Sequence, residues 1–269
     1  MGFGVLSRIW NFTLVIILCS EYISYYHKGC IIYSPVMEFP LLLIAGLLTG
    51  GFLSARTRKL TPGASLTGVV LALVIYLGAG YSGIAMMAAF FVLATLASSW
   101  QQNFKEGAGI AEANKGQRNI SQVLANAGMA AVFGGLSFVN PENSHLFRLM
   151  MAAGFASATS DTLSSELGSV YGKNFYNILT FRRDMRGKDG VVSLEGMIAG
   201  VLGALIIALI GSDLKSRALF IICLSGISGN LADSLLGASL ERKGVIGNDA
   251  VNFLSTMAAS LLAFALSAI

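Results

Sequence analysis

The sequence predicts an all-α, polytopic transmembrane helical bundle of about eight or nine spans, with a candidate parallel internal repeat. Three observations predict it. The chain is 55% hydrophobic and only 12% charged, about half the charged fraction of soluble domains, and its mean hydropathy is +0.70. Its apolar runs approach the ~20 residues that cross a hydrocarbon core. Its Lys and Arg residues gather in alternate loops.

The spans read, in order, at about 37–55, 62–80, 82–99, 122–140, 147–164, 194–211, 218–238 and 250–268. A ninth candidate at about 9–25 is interrupted by Glu21 and a Tyr-rich tail. It is kept as a span because no small-residue cleavage site follows it, as a signal sequence would require. Leu18-Cys19 is likewise a poor lipoprotein match. The chain divides into an N-terminal span with its outside loop (1–36) and an integral-membrane domain (37–269). Cys19, Cys30 and Cys223 are scattered, with no Cys-x-x-Cys, so neither a zinc site nor a disulfide framework follows.

One set of loops carries Arg56, Arg58 and Lys59; Lys105, Lys115 and Arg118; Lys173, Arg182, Arg183, Arg186 and Lys188; and Arg242 and Lys243. The opposite set carries only Lys28, Arg148, Lys215 and Arg217. The positive-inside rule places the rich set in the cytoplasm. With that orientation Asp161 and Glu166 lie where the sixth span exits to the cytoplasm, Glu195 where the seventh enters, and Asp233 near the same end of the eighth. Asn126, Asn248, Asp249 and Asn252 begin the fifth and ninth spans. Carboxylates at a bilayer border are costly and usually hold a metal, a proton or a partner charge. A transporter would place some polar groups at the midplane; here they collect on one side, as a cytoplasm-facing pocket would require.

Two span pairs echo each other. Ser160-Asp161-Thr162-Leu163 resembles Ala232-Asp233-Ser234-Leu235, and the run from Asp189 resembles that from Asp249. Both pairs run out-to-in and back, so the repeat is parallel and sets two Asp-bearing helices face to face. Asp161, Ser165 and Glu166 offer hard oxygens on neighbouring helical positions, the ligand type Mg²⁺ takes alongside substrate phosphates. The following basic loop is punctuated by Gly172, Gly187 and Gly190, whose backbone lets N–H groups approach an anion.

Each residue also has a plainer reading. Cytoplasmic Lys and Arg answer first to topology and lipid headgroups. Asp161 or Glu166 alone could cap a helix or pair with a loop Arg. Gly196-x-x-x-Gly200 means close helix packing before it means chemistry, and His145 and His27 stand alone. The ensemble is what points to a metal–phosphate complex.

The segments Arg118 to Asn126, Ala158 to Gly168, Gly187 to Gly196, Gly229 to Ala238 and Val251 to Thr256 resemble the integral-membrane family containing plant phytyl-phosphate kinases and the animal transmembrane protein 19. The resemblance covers about residues 40–269. More distantly, Asp161-Thr162 with Gly168, Gly172-Lys173 and Ser193-x-Glu195-Gly196 looks like the pattern of CTP-using dolichol and phytol kinases and phosphatidate cytidylyltransferases. This chain has Ser160 and Leu163 where Ala and Trp are frequent.

The resemblance implies Mg²⁺ held by Asp161 and Asp233 with Glu166, and a catalytic set completed by Lys173. It implies nucleotide and phosphate contacts from Arg118, Asn126, Arg182, Arg183, Lys188, Ser193, Glu195, Asn248 and Asn252. The expected activity is a CTP-dependent (or other nucleoside triphosphate-dependent) kinase converting an isoprenoid monophosphate, such as phytyl, geranylgeranyl or farnesyl phosphate, to its diphosphate. The expected setting is the inner (plasma) membrane, with the site on the cytoplasmic face, no nucleic-acid partner and the oligomeric state open. The rivals are a CTP-dependent nucleotidyltransferase acting on a lipid phosphate and a lipid or small-molecule transporter.

Overall fold

The computed structural model describes residues 41–111 and 116–269; the candidate span at 9–25 and the 1–36 segment lie outside the described residues. From residue 41 onward, each apolar run read from the sequence falls on a helix. Helix α1 (Leu41–Arg56) is a shorter apolar helix. Helix α2 (Pro62–Ser99) starts at Thr61, whose Oγ1 accepts from the Ala64 N–H at 3.2 Å, with proline in the first turn.

Two expected spans, 62–80 and 82–99, share this one element. They meet at Gly80, whose φ of 59° and ψ of −146° break the helix. A straight helix of 38 residues would run about 57 Å. Instead Lys59 Nζ, just before the helix, donates to Ser99 Oγ at its far end, at 2.7 Å, so the two halves fold back on one another. Next to the break, the Gly78 carbonyl accepts from Arg148 Nε and from Ser137 Oγ, both at 2.8 Å. Neighbouring side chains thus take up backbone that the turn disturbs.

A short helix, α3 (Gln102–Gly107), leads toward α4 (Ile120–Val139). A reciprocal capping box opens α4: Asn119 Oδ1 accepts from the Gln122 N–H, and Gln122 Oε1 from the Asn119 N–H, each at 3.0 Å. Helix α5 (Ser144–Tyr171) follows a short turn. Two-residue strands β1 (Tyr176–Asn177) and β2 (Val191–Val192) pair antiparallel, Tyr176 opposite Val192. Helix α6 (Leu194–Gly211) is capped by Ser193 Oγ, which accepts from the Gly196 N–H at 3.2 Å. Helix α7 (Ser216–Leu236) ends in a π-helical turn, Gly237–Glu241, and α8 (Asn248–Ser267) closes the chain.

Among the described residues, five helices are long and apolar enough to cross a membrane: α2, α4, α6, α7 with its π turn, and α8. Helix α5 is not among them, although it has 28 residues. It stands at the centre, packed against α2, α4, α6, α7 and α8. Met151, Ala152, Ala153, Phe155 and Ala156 are fully buried, with Ile75, Met86, Ile207 and Ile222 around them. Protein rather than lipid covers this helix, so its small and polar residues are tolerated.

The α5–α6 contact follows the small-residue reading. A Cβ on Gly196 would lie 2.6 Å from the Ser164 carbonyl oxygen, and one on Gly200 would lie 2.9 Å from Ser160 Oγ. Tight backbone approach drives helix association where lipid removes the hydrophobic term. Gly229 of α7 meets Ser157, and Gly226 meets Ala156; α7 therefore runs parallel to α5, with α6 antiparallel between them. Two Asp-bearing helices pointing the same way are what a parallel repeat requires.

The loops rich in Lys and Arg gather at one end of the bundle. There Thr61 N–H donates to the Arg118 carbonyl at 2.9 Å, and Arg118 Nη2 to Ser98 Oγ at 3.3 Å. Arg242 Nη1 bonds Asp184 Oδ2 at 2.7 Å. Arg148 and Arg217 lie at the other end, Arg217 Nη2 donating to the Ser267 carbonyl at 3.1 Å. The chain is an integral membrane helical bundle.

Candidate functional site

Asp161 does not end its helix. Helix α5 continues ten residues further, to Tyr171, about 15 Å at 1.5 Å per residue. The helix thus runs past the bound of about 164 read for the sixth span, carrying Asp161 and Glu166 within it. The extension is held because Gly168 packs onto Gly196: a Cβ there would lie 2.8 Å from the Gly196 Cα. Asp161 is thus set on a wall of packed helices, and the parallel course of α7 brings Asp233 opposite it.

A cavity of about 220 Å³ opens at the basic end of the bundle, lined by both carboxylates. That is room for a hydrated ion and phosphate groups rather than for one water, whose share of liquid volume is about 30 Å³. Asp161 and Asp233 lie within each other's field. Asp233 Oδ2 is buried with no hydrogen-bond partner. A buried carboxylate oxygen beside a second carboxylate is costly, and a shared proton or a hard cation between the two would relieve it. Among the described residues no three His, Cys, Asp or Glu side chains form a cluster able to hold a metal. Asp161 and Asp233 could hold Mg²⁺, which commonly takes one or two carboxylates while phosphates and water complete its shell.

Of the other residues singled out from the sequence, Arg118, Asn126, Lys188, Ser193, Asn248 and Asn252 line the same cavity. Arg118 and Lys188 are the cations in its wall. Asn126 Nδ2 donates to the Gln122 carbonyl at 2.9 Å, which fixes the amide's orientation. Lys188 Nζ lies 3.7 Å from Asp184 Oδ1 with its side chain half exposed, so it remains able to swing toward an anion.

Five residues are placed elsewhere. Glu166 is buried against Lys105, itself 1% exposed. Lys105 Nζ donates to Glu166 Oε2 and also to the Ala97 and Ser98 carbonyls, at 2.9 and 3.3 Å. Glu166 thus joins α3 and the end of α2 to α5, on the side of the helix away from Asp161. Lys173 is exposed, and its backbone N–H donates to Glu195 Oε2 at 3.4 Å; neither residue reaches the cavity. Arg182 and Arg183 are exposed on the β1–β2 loop, Arg183 Nη2 reaching Asn174 Oδ1 at 3.5 Å. Solvation explains these positions, since the positive-inside pattern needs the charges but not the cavity.

The loop is docked by other contacts. Arg186 lies 4.9 Å from the Phe175 ring centroid and 5.5 Å from that of Phe104, and donates to the Gly172 carbonyl at 3.0 Å. Arg242 Nη2 donates to the Asp189 carbonyl at 2.7 Å. The Arg242 guanidinium beside Asp184, helped by the Met185 N–H, holds the Asp184 carboxyl below the usual carboxylate range. Gly190 sits against the π turn: its φ is +68°, and a Cβ there would lie 2.3 Å from the Ala238 Cβ. Gly190→Ala is expected to cost about 2 kcal/mol or more through backbone strain and overpacking. A lowered melting temperature in detergent, with faster proteolysis between 172 and 192, checks this.

The cavity also holds residues that the sequence reading had not placed in a site. Asn230, Ser234, Asp189, Glu241 and Gln122 all line it. Asn230 was legible, being three residues before Asp233 on the same helical face. Glu241 carried no signal, because only the π turn aims it inward. Most in-span hydroxyls bond the preceding turn, as Thr159 Oγ1 does to the Phe155 carbonyl at 2.7 Å. Ser157, Ser160 and Ser225 do not; they are fully buried without partners beneath the cavity.

Comparison with known proteins agrees with this architecture. The chain is similar to Protein VTE6, chloroplastic, of Arabidopsis thaliana, with 32% identity over 217 residues, covering 76% of this chain and 65% of the relative's length. It is similar to the uncharacterized membrane protein MJ0933 of Methanocaldococcus jannaschii, with 34% identity over 74% of this chain and 81% of the relative. It also resembles the uncharacterized membrane protein sll0875 of Synechocystis, with 31% identity over 88% of this chain and 95% of the relative. No solved structure matches it significantly. Residues 45–260 match the family described as Integral membrane protein DUF92, and they include the helices that build the cavity; the chain belongs to that family.

Proposed function

We propose that the chain is a membrane kinase transferring the terminal phosphoryl group of CTP, or another nucleoside triphosphate, to an isoprenoid monophosphate. The observation that carries this is the Asp161–Asp233 pair with its unpartnered oxygen, facing a cavity whose cations are Arg118 and Lys188. Membership of the family, and the resemblance of its motifs to phytyl-phosphate kinases, support the choice of acceptor. Mg²⁺ held by Asp161 and Asp233 would neutralise charge building on the transferred phosphoryl group.

The chain's own part is positioning. Arg118 and Lys188 bind the anionic donor and acceptor. Asn126, Asn230, Asn248 and Asn252 supply amide donors and acceptors that fix their orientation. An oxygen of the acceptor monophosphate attacks the terminal phosphorus; the bond to the bridging oxygen breaks, and the nucleoside diphosphate leaves. The acceptor is already anionic, so no general base is required, in keeping with a cavity wall that has no histidine among the described residues. By the positive-inside rule the basic end faces the cytoplasm, where nucleotides are available.

The test is an assay of the purified chain in detergent with phytyl, geranylgeranyl and farnesyl monophosphates and each nucleoside triphosphate. Prenyl diphosphate with an equal amount of nucleoside diphosphate is expected. Release of pyrophosphate would assign a nucleotidyltransferase instead, and no nucleotide consumption with any acceptor would overturn the reading.

A further inference from the structure

A second cavity, of about 160 Å³, opens at the end of the bundle opposite the Asp161–Asp233 pocket, between the break in α2, the start of α5 and the α6–α7 turn. We propose that this cavity binds a phosphate group, presented by an anionic phospholipid headgroup in the leaflet facing away from the first pocket or by free phosphate.

Charge is the first argument. Arg148, Lys215 and His145 line the cavity, against the single carboxylate of Asp213. Topology does not account for these cations, because Arg148 and Lys215 belong to the sparse loop set, where the positive-inside pattern asks for none. Arg148 is also held in place. Its Nε donates to the Gly78 carbonyl at 2.8 Å beside the α2 break, so the guanidinium is anchored at the wall. A planar guanidinium fixed in this way is suited to phosphate oxygens.

The second argument is an unmet hydrogen bond. Ser212 lines the cavity and is only 3% exposed, yet its hydroxyl has no partner. Buried polar groups are almost always satisfied, and a ligand oxygen in the cavity would satisfy this one. The third is the start of α7. No side chain caps it at Lys215, and Lys215 and Ala218 both border the cavity. The first-turn N–H groups of a 21-residue helix thus lack a side-chain acceptor beside two cations and a free hydroxyl, an arrangement that favours an oxyanion.

The test uses the full chain in non-ionic detergent, titrated separately with phosphatidylglycerol and with inorganic phosphate, and read by native mass spectrometry and melting temperature. Lys215→Gln and Ser212→Ala are the variants; Arg148 is left intact because it also secures the α2 turn. Phosphatidylglycerol should bind and raise the melting temperature, with affinity about tenfold weaker in Lys215→Gln, as loss of one charge-assisted contact implies. Unliganded melting temperatures should match the parent. The same variant sensitivity with inorganic phosphate, and none with the lipid, assigns free phosphate as the ligand. Equal affinity of parent and variants for both probes, or no binding of either, overturns the proposal. Nucleotide-dependent turnover is read separately, so failure here is distinct from failure of the kinase assignment.

Discussion

Asp161→Asn and Asp233→Asn are each expected to lower turnover by roughly 10³-fold, the several kcal/mol that a metal's charge supplies to a transition state. Asparagine keeps the shape and hydrogen-bonding capacity of the side chain but removes the charge. Asp189 and Glu241 also line the cavity, but each substitution halves the charge of the Asp161–Asp233 pair itself. The concentration of Mg²⁺ needed for half-maximal activity should rise in parallel. Stability should move the other way or not at all, because the parent packs two carboxylates together and leaves Asp233 Oδ2 without a donor. Variants that melt no lower than the parent, with turnover nearly gone and residual activity driven by higher Mg²⁺, would show the pair acting on chemistry. Parental turnover in either purified variant would sink the assignment.

The second large effect belongs to Glu166, and it runs through folding. Removing one partner of a buried ion pair leaves an uncompensated charge, a loss of about 3–5 kcal/mol. Lys105→Met should therefore destabilise the chain severely, and Glu166→Gln should leave the ammonium without its counter-charge. The double variant Lys105→Met with Glu166→Leu should recover much of the loss, since apolar replacement of such a pair is often close to neutral. Recovery should be incomplete, because Lys105 also satisfies the Ala97 and Ser98 carbonyls. A metal ligand at Glu166 would behave differently: Glu166→Gln would spare the melting temperature and raise the Mg²⁺ requirement. Detergent melting curves and Mg²⁺ titrations of the three variants separate the two roles.

Glu166 also shows where reading a sequence reaches its limit. Asp161 and Asp233 were legible because each is the second residue of a similar four-residue echo, and parallel helices bring echoes together. The α2 turn was legible in the separation of the runs at 62–80 and 82–99, and the α5–α6 contact in the spacing of Gly196 and Gly200. Glu166 looked like Asp161's companion because it lies five residues on. Its real partner, Lys105, is 61 residues away on a six-residue helix that no periodicity announces. Lys173, Arg182 and Arg183 were drawn toward the site by their charge and by the family resemblance, whereas charge in a loop of a membrane protein serves orientation first. Asp189 and Glu241 reach the cavity only through the docking of the hairpin and a π turn, both products of tertiary packing.

The central position of α5 has a consequence for how the protein is made. The helix that carries Asp161 is long but is not among those apolar enough to cross by themselves, and insertion machinery sorts nascent segments by their apolarity. Alone, this segment would gain less from lipid than its neighbours α2, α4 and α6, which have the apolarity it lacks, and packing against them supplies the difference. The first pocket therefore comes into being only at a late stage of biogenesis, when α7 closes over α5. A truncated or stalled chain would carry the Asp161 carboxylate with nothing to hold against it.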